Sequence, residues 1–196
     1  MIIQHTLINN FDNTTIVSVD EKIKIEQELK YENFVVFCDN NFQVHSINLF
    51  NTNKLNVNFK NNFSSVNQED FQKIMGILLS KNSKFKFQNK TKFIYAKVLK
   101  RTIHPKSEKL FVLDLLINVH TNEVIQLVTN TLDSTEGKVL VCALPGSKVF
   151  TGMVVDEGVL IGVKSFGMLS GYETLGIKKE GLIFGKENQI GLEFEL

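Results

Sequence analysis

The sequence predicts two domains, a small α+β domain followed by an all-β barrel. The first sign is the placement of glycine and proline, which mark turns and bends. Of 12 glycines only Gly76 precedes Gly137, and both prolines, Pro105 and Pro145, lie beyond residue 100. The two parts of the chain therefore use different turn chemistry.

The first part is predicted to turn at asparagine pairs, because asparagine tolerates a left-handed backbone and hydrogen-bonds its own main chain. These pairs are Asn9-Asn10, Asn40-Asn41 and Asn61-Asn62. Two polar stretches, Ser80–Lys84 and Gln88–Lys92, suit a domain boundary. We place that boundary near residue 90, with an α+β domain of unknown role at 1–90 and the barrel domain at 91–196.

The first ninety residues contain four strand patterns and one helix pattern. Apolar residues at helical spacing predict an amphipathic helix over Gln68–Ser80. Its start is predicted at Asn67, capped through Asp70, or at Ser65, capped through Gln68. The predicted strands are Thr14–Val19, Phe34–Cys38, Phe42–Ile47 and Leu55–Phe59. All of these patterns are typical of a packed core, so no chemistry is assigned to this domain.

The second part is rich in short strand patterns, with glycine where the chain has to bend. Such a pattern is typical of a small closed barrel, and five strands fit the OB architecture. An SH3-like barrel fits the same periodicity. A short helix is predicted only around Tyr172–Ile177. The predicted strands are Phe93–Lys100, Leu110–Val119, Val124–Thr129, Lys138–Leu144 and Val159–Val163.

Composition restricts the class of protein. The chain has 196 residues, with 43% hydrophobic and 22% charged residues, which excludes a disordered or membrane chain. A net charge of +1 argues against a diffusely basic nucleic-acid binder.

Cys38 and Cys142 lie in strand-like runs and are interpreted as buried thiols of a reducing compartment. With no export or membrane signal, the predicted location is the cytoplasm.

Four motifs in the second part carry a resemblance to a known family. They are His104–Leu110 (His-Pro-Lys-Ser-Glu-Lys-Leu), Ala143–Gly146, Ser165–Met168 (Ser-Phe-Gly-Met) and Glu173–Ile177. In type and order they resemble the signature of the tRNA-binding OB domain, found in the phenylalanyl-tRNA synthetase beta subunit, in many methionyl-tRNA synthetases and in endothelial monocyte-activating polypeptide. With a domain in front, the whole chain resembles the free-standing YtpR-type tRNA-binding proteins.

The resemblance implies a five-stranded OB barrel that binds tRNA. The chain departs from the family pattern in two places. Thr129–Leu132 stands where the family commonly has Gly-Ala-x-Asn, and Ile161-Gly162 stands where it often has Arg-Gly. The second departure removes a candidate phosphate contact, although Lys164 lies close in sequence.

Charge is polarised within the barrel domain. The segment from Lys97 to Lys109 contains five cations and one acid, Glu108, which gives a net charge of +4. The following segment, from Leu110 to Gly137, contains four acids and no lysine or arginine, which gives a net charge of −4. Lysines on a strand and its following loop suit backbone phosphates, because each contact releases condensed counterions. A solvated charged face is the alternative. The candidate tRNA-binding residues are Lys97, Lys100, Arg101, His104, Lys106, Lys109, Lys164, Ser165, Phe166 and Met168.

Three of these candidates have structural alternatives. His104 either stacks on or hydrogen-bonds a nucleotide, or it ties its turn to the barrel. The resemblance implies a tRNA-binding role for the Ser165–Met168 turn, with the Ser165 hydroxyl at the surface. In the alternative Met168 belongs to the core and Gly167 only shapes the turn. Phe166 is the best candidate for stacking on a base.

No enzyme signature is present. The four histidines and two cysteines lack metal-ligand spacing, and there is no phosphate loop or nucleophile elbow. We predict a non-catalytic, translation-related tRNA-binding protein without cofactors that recognises shape and backbone. One alternative is a scaffold module docking on a synthetase or another translation protein, and another is generic single-strand binding. No membrane partner is expected, and the chain is predicted to be a monomer or weak homodimer.

Overall fold

The computed structural model describes residues 1–7, 11, 13–57, 59 and 61–196. These residues are mostly β-strand, with a single α-helix among them. They cluster into two compact units, one of Met1–Lys90 with Glu195–Leu196 and one of Thr91–Phe194. The last residue joins the first unit because its carbonyl accepts a hydrogen bond from Ser65 Oγ at 3.0 Å. The assignment of 1–90 and 91–196 to separate domains stays a prediction.

The first unit is an antiparallel sheet with one helix. Its described strands, in the spatial order β3-β4-β5-β2-β1-β6, are β1 (Ile3–Thr6), β2 (Thr14–Ser18), β3 (Gln27–Lys30), β4 (Phe34–Cys38), β5 (Val44–Phe50) and β6 (Phe63–Ser65). Helix α1 spans Gln68–Lys81. Asn67 caps it, since Asn67 Oδ1 accepts a hydrogen bond from the Asp70 backbone N–H at 2.8 Å. Ile74 and Leu78 are buried in the core on the sheet, each burial stabilising the unit by about 1.5–3 kcal/mol.

One predicted strand of this unit is not formed, and one predicted turn lies outside the described residues. The predicted strand at Leu55–Phe59 is not formed by its described residues, because Thr52–Leu55 is a 3-10 helix flanked by Asn51 and Asn56 in left-handed conformation. Residue 58 of that prediction, and the turn predicted at Asn9-Asn10, lie outside the described residues.

The second unit is a curled half-barrel sheet. Its strands are β7 (Phe93–His104), β8 (Ser107–Asn118), β9 (Glu123–Thr129), β10 (Val139–Ala143), β11 (Glu157–Leu160), β12 (Val163–Phe166) and β13 (Met168–Leu169). The main sheet has the order β13-β10-β7-β8-β9, and β11 pairs with β12 separately. Strands β7, β8 and β9 follow one another through hairpins and β10 returns beside β7, which is Greek-key connectivity. Ala96, Leu115 and Leu140 are among its fully buried core side chains.

Two hairpins of this unit differ from the predicted strands. Strand β7 continues four residues past Lys100, so that Pro105-Lys106 is a tight turn into β8 instead of a longer loop. The predicted strand Val159–Val163 is broken by a two-residue turn at Ile161-Gly162, which joins β11 to β12. Both turn residues have positive φ, 48° and 89°, as in a type I′ turn. The closed OB barrel stays a prediction.

Among the described residues, no helix has both the length and the apolar character needed to cross a membrane. Cys38 and Cys142 are both buried free thiols. Burial raises the pKa of Cys142 to about 12.

Candidate nucleic-acid interface

Two turns of the second unit meet through His104. The imidazole is 3% exposed. Its Nδ1 accepts a hydrogen bond from the Lys106 backbone N–H at 3.1 Å, so Nε2 carries the proton and donates to the Leu160 carbonyl, also at 3.1 Å. The ring therefore joins the β7–β8 turn to the β11–β12 hairpin. This is the structural alternative for His104, and a contact with RNA would require these bonds to break.

Four of the candidate lysines, Lys100, Lys106, Lys109 and Lys164, are exposed. Lys106 reaches across to the neighbouring hairpin, since a Cβ placed on Gly162 would lie 3.4 Å from Lys106 Nζ. Lys164 lies in β12, directly opposite Val159. In the part of the chain that the structure describes, none of the four lysines forms an ion pair. Their charges are therefore available to a polyanion.

Lys97 differs from these four lysines because it is already neutralised. Its ammonium lies 2.7 Å from a carboxylate oxygen of Glu187, and the Lys97 side chain is only 29% exposed. A phosphate would have to compete with that carboxylate. Lys97 is the weakest of the predicted lysine contacts.

Arg101 is held more firmly than a surface cation. Its guanidinium carbon lies 3.6 Å from the centre of the Phe111 ring. Nη1 donates a hydrogen bond to the Leu132 carbonyl at 3.1 Å, and the Arg101 backbone N–H donates to Glu136 Oε1 at 2.9 Å. The side chain is thus oriented before any ligand arrives.

The Ser-Phe-Gly-Met segment connects the hairpin to the sheet edge. We expected Ser165 to present its hydroxyl at the surface; instead the residue is 3% exposed. The Ser165 hydroxyl lies inside the unit because its Oγ accepts a hydrogen bond from the Val128 backbone N–H at 3.0 Å. Close by, Gln126 Nε2 donates to the Lys164 carbonyl at 2.7 Å. These two bonds attach β12 to β9.

The rest of this segment is shaped by close backbone approach. Gly167 has φ 104°, and a Cβ on it would lie 2.3 Å from the Ala143 carbonyl oxygen. Only glycine fits there. Phe166 and Met168 are both half-buried and lie opposite Glu157 and Ala143 in their ladders. Their roles in stacking and in tRNA binding stay predictions.

Sequence reasoning missed the partners of these residues and an apolar rim around them. Gln126 and Val128, which bond to β12, belong to none of the four sequence motifs. The alternation of apolar and polar residues in a strand does not indicate which of its polar groups bond to a neighbouring hairpin. Ile103, Val159 and Ile161 are 68%, 65% and 54% exposed. One sequence signal for this apolar rim was available: Ile161-Gly162 stands where the tRNA-binding OB domains that the motifs resemble often have Arg-Gly.

Comparison with known proteins finds similarity to part of one kind of enzyme subunit. The chain is 37% identical over 95 residues to the phenylalanine–tRNA ligase beta subunit of Clostridium acetobutylicum, covering 48% of this chain and 12% of that protein. The same subunit of Bartonella quintana is 34% identical over 89 residues, covering 45% and 11% of the two chains. That of Latilactobacillus sakei is 29% identical over 85 residues, covering 43% and 10%.

The chain therefore spans about a tenth of the length of these curated relatives. No protein-family model matches it. What the comparisons show is similarity between somewhat less than half of this chain and a segment of a tRNA ligase beta subunit.

Proposed function

We propose that the second unit is an OB-type barrel that binds tRNA, without catalysis, through the sugar-phosphate backbone and through shape. The observation that carries this proposal is the set of four exposed lysines that form no ion pair with any residue the structure describes. Two of them, Lys106 and Lys164, lie on the turn and the strand that His104 and Ser165 join to their neighbours. Lysine is a point cation that serves any phosphate, so no base-specific recognition is implied.

The topology and the relatives support the same proposal. Greek-key OB barrels bind oligonucleotides with the loop between their first two strands and the loop before their last strand. The β7–β8 turn and the β11–β12 hairpin occupy the corresponding places in the chain order. The similarity to phenylalanine–tRNA ligase beta subunits favours tRNA over other RNAs as the ligand. We propose that the chain is a YtpR-type protein that acts in the cytoplasm together with the translation apparatus.

The salt dependence of binding tests the proposal. Three to five phosphate contacts would give a log–log slope of about −2 to −4.5 between affinity and salt, at about 0.7–0.9 per contact. For the double variant Lys106→Gln and Lys164→Gln we expect this slope to become shallower by about 1.5. Affinity for tRNA is measured by titration at about 50 and about 200 mM salt.

Two matched variants serve as controls. Lys97→Gln removes a lysine that Glu187 already neutralises. The salt slope of this variant should therefore change by less than half of the change that each lysine contributes in the double variant. Lys54→Gln with Lys81→Gln removes the same charge from the first unit and should leave the slope as it is. Wild-type protein without measurable tRNA affinity, or an unchanged slope for the Lys106 and Lys164 variant, would contradict the proposal.

The apolar rim favours a second function, that of a scaffold module for a translation protein. Exposed Ile103, Val159 and Ile161 are of little use to phosphate but suit a protein surface. Capture of partners with and without nuclease treatment separates the two functions. Partners that persist after nuclease support the scaffold, and loss of all partners supports RNA binding. Competition by unstructured RNA as strong as that by folded tRNA would instead indicate generic single-strand binding.

A further inference from the structure

Strand β11 is an unprotected sheet edge. Among the described strands it pairs only with β12, and all four of its residues are exposed. Proteins usually protect such an edge with charged side chains, proline or a covering segment. The edge strand β3 of the first unit carries Glu28 and Lys30, which form an ion pair at 3.2 Å. Strand β11 has the sequence Glu-Gly-Val-Leu, with neither lysine nor proline, so its free edge is open to another strand.

The hairpin register shows which backbone groups face this free edge. Leu160 and Val163 flank the two-residue turn, and such a flanking pair exchanges hydrogen bonds. Because bonded and non-bonded pairs alternate, Val159 and Lys164 do not bond each other, and their N–H and C=O groups point outward from the hairpin. The bond from Gln126 Nε2 to the Lys164 carbonyl at 2.7 Å agrees with this phase. Val159 therefore offers one donor and one acceptor at the free edge, and neither bonds to a described residue.

The charges around β11 are complementary to those of a second β11 strand. In an antiparallel pair centred on Val159, residue 157 of one strand lies opposite residue 161 of the other. Glu157 is exposed and forms no ion pair with a described residue. Ile161 is followed by Gly162, and a Cβ on Gly162 would lie 3.4 Å from Lys106 Nζ. A second strand would thus bring a carboxylate to the ammonium of Lys106.

We propose that two copies of this chain associate through their β11 strands, antiparallel about a twofold axis at Val159. The Val159 N–H of each copy donates to the Val159 carbonyl of the other, a pair of bonds that satisfies both free groups. The two exposed valine side chains contact each other, since directly opposed Cβ atoms lie about 4.5–5.5 Å apart. Glu157 of each copy pairs with Lys106 of the other. This association goes beyond the proposed function and does not require RNA.

Sedimentation velocity of the full chain tests the association. Because a short edge buries a small area, we expect weak association, with half of the chains dimeric at about 0.1 mM. Val159→Pro removes the outward N–H and leaves the bonds of the hairpin in place, so association should weaken at least about tenfold. The matched variant Val159→Thr keeps the N–H and the β-branch and should associate within about twofold of the wild type.

A charge exchange tests the register. Glu157→Lys places an ammonium beside Lys106 of the other copy, and association should weaken by about tenfold at low salt. The double variant Glu157→Lys with Lys106→Glu reverses both charges and should return association to within about threefold of the wild type. Glu32→Lys makes the same change of charge in the first unit and should leave association within about twofold.

Three results would overturn the inference. The first is a wild-type chain that stays monomeric up to about 1 mM, including one that captures a different protein on this edge. The second is a dimer that persists in folded Val159→Pro, because its interface would lie elsewhere. The third is a double charge variant that associates as weakly as Glu157→Lys. Circular dichroism and thermal unfolding establish that each variant is folded; if Val159→Pro is not, the charge exchange at two exposed side chains decides.

Discussion

The inner and outer sides of the two joined turns in the second unit behave differently, although both come from the same motifs. On the inner side His104, Ser165 and Gly167 are fixed by hydrogen bonds or by close backbone approach. On the outer side Lys106 and Lys164 project without ion-pair partners among the described residues. The residues most distinctive in sequence therefore support the turns, and the less distinctive lysines are the ones available to a ligand.

This difference makes stability and binding separable. A buried polar group that loses its partner destabilises the fold by about 1–3 kcal/mol, whereas an exposed lysine contributes almost nothing to stability. Inner-side substitutions should therefore lower the free energy of unfolding, and substitution of Lys106 or Lys164 should leave that free energy unchanged and alter affinity for RNA and its salt dependence.

The largest effect is expected for Gly167→Ala. The added Cβ would lie 2.3 Å from the Ala143 carbonyl oxygen, at a backbone φ of 104°, so the free energy of unfolding should fall by more than about 3 kcal/mol. Gly137→Ala is the matched control, with φ 82° and no atom within 4 Å of the new Cβ, and should cost about 1 kcal/mol. Urea denaturation followed by circular dichroism measures both. Equal losses would mean that the close approach to Ala143 is not retained in solution.

Ser165→Ala should come next. It leaves the Val128 backbone N–H without its acceptor inside the protein, and we expect a loss of about 1–3 kcal/mol in the free energy of unfolding. Thr151→Ala removes an exposed hydroxyl and should stay within about 0.5 kcal/mol of the wild type. If Ser165→Ala instead retained full stability and lost tRNA affinity, Ser165 would belong to the outer side.

The Cys142 thiol reports on the interior beside this segment, since Cys142 lies opposite Leu169 in the ladder. Its pKa is raised from 9.0 to about 12 by burial. As pH rises, the thiol ionises in the unfolded chain before it ionises in the folded protein. The buried neutral thiol therefore contributes its full stability below about pH 9. This stability is lost as the pH rises toward 12, by at most about 1.4 kcal/mol per pH unit. Urea denaturation between about pH 8 and about pH 10.5 should show a steeper decline for wild type than for Cys142→Ala. Parallel declines would mean that water reaches the thiol.

The smallest effect, a gain, is expected for Ile161→Asn. A β-branched residue at φ 48° is unfavourable, whereas asparagine before glycine is preferred in a type I′ turn. We expect the free energy of unfolding to rise by about 0.5–1 kcal/mol. Ile161→Val keeps the β-branch and should bring no gain. A loss on Ile161→Asn would show that the isoleucine packs against a neighbour in solution.

Local signals predicted the regular parts of the fold. Helix α1 begins at Gln68 behind the predicted Asn67 cap, and β4 has the predicted bounds Phe34–Cys38. Strand β3 was missed because Gln27–Lys30 is polar and half-exposed, which leaves no alternation to detect. The turn at Ile161-Gly162 was missed because a β-branched residue favours a continuous strand.

The candidate site was predictable in its charges and not in its burial. A run of cations is visible in any sequence, and Lys100, Lys106 and Lys109 of the run are exposed as phosphate contacts require. Whether a serine or histidine points inward depends on partners such as Val128 and Leu160, which are distant along the chain. The neutralisation of Lys97 by Glu187, ninety residues away, is of the same kind.

The left-handed asparagines of the first unit have a consequence for the unfolded chain. Asn13, Asn51 and Asn56 adopt φ of 57°, 52° and 54°, a conformation for which many proteins use glycine. Glycine would give the unfolded chain more conformations to lose on folding, at about 0.4–1 kcal/mol per position. These turns therefore stabilise the first unit by restricting its denatured ensemble, an effect to which no contact of the folded chain corresponds.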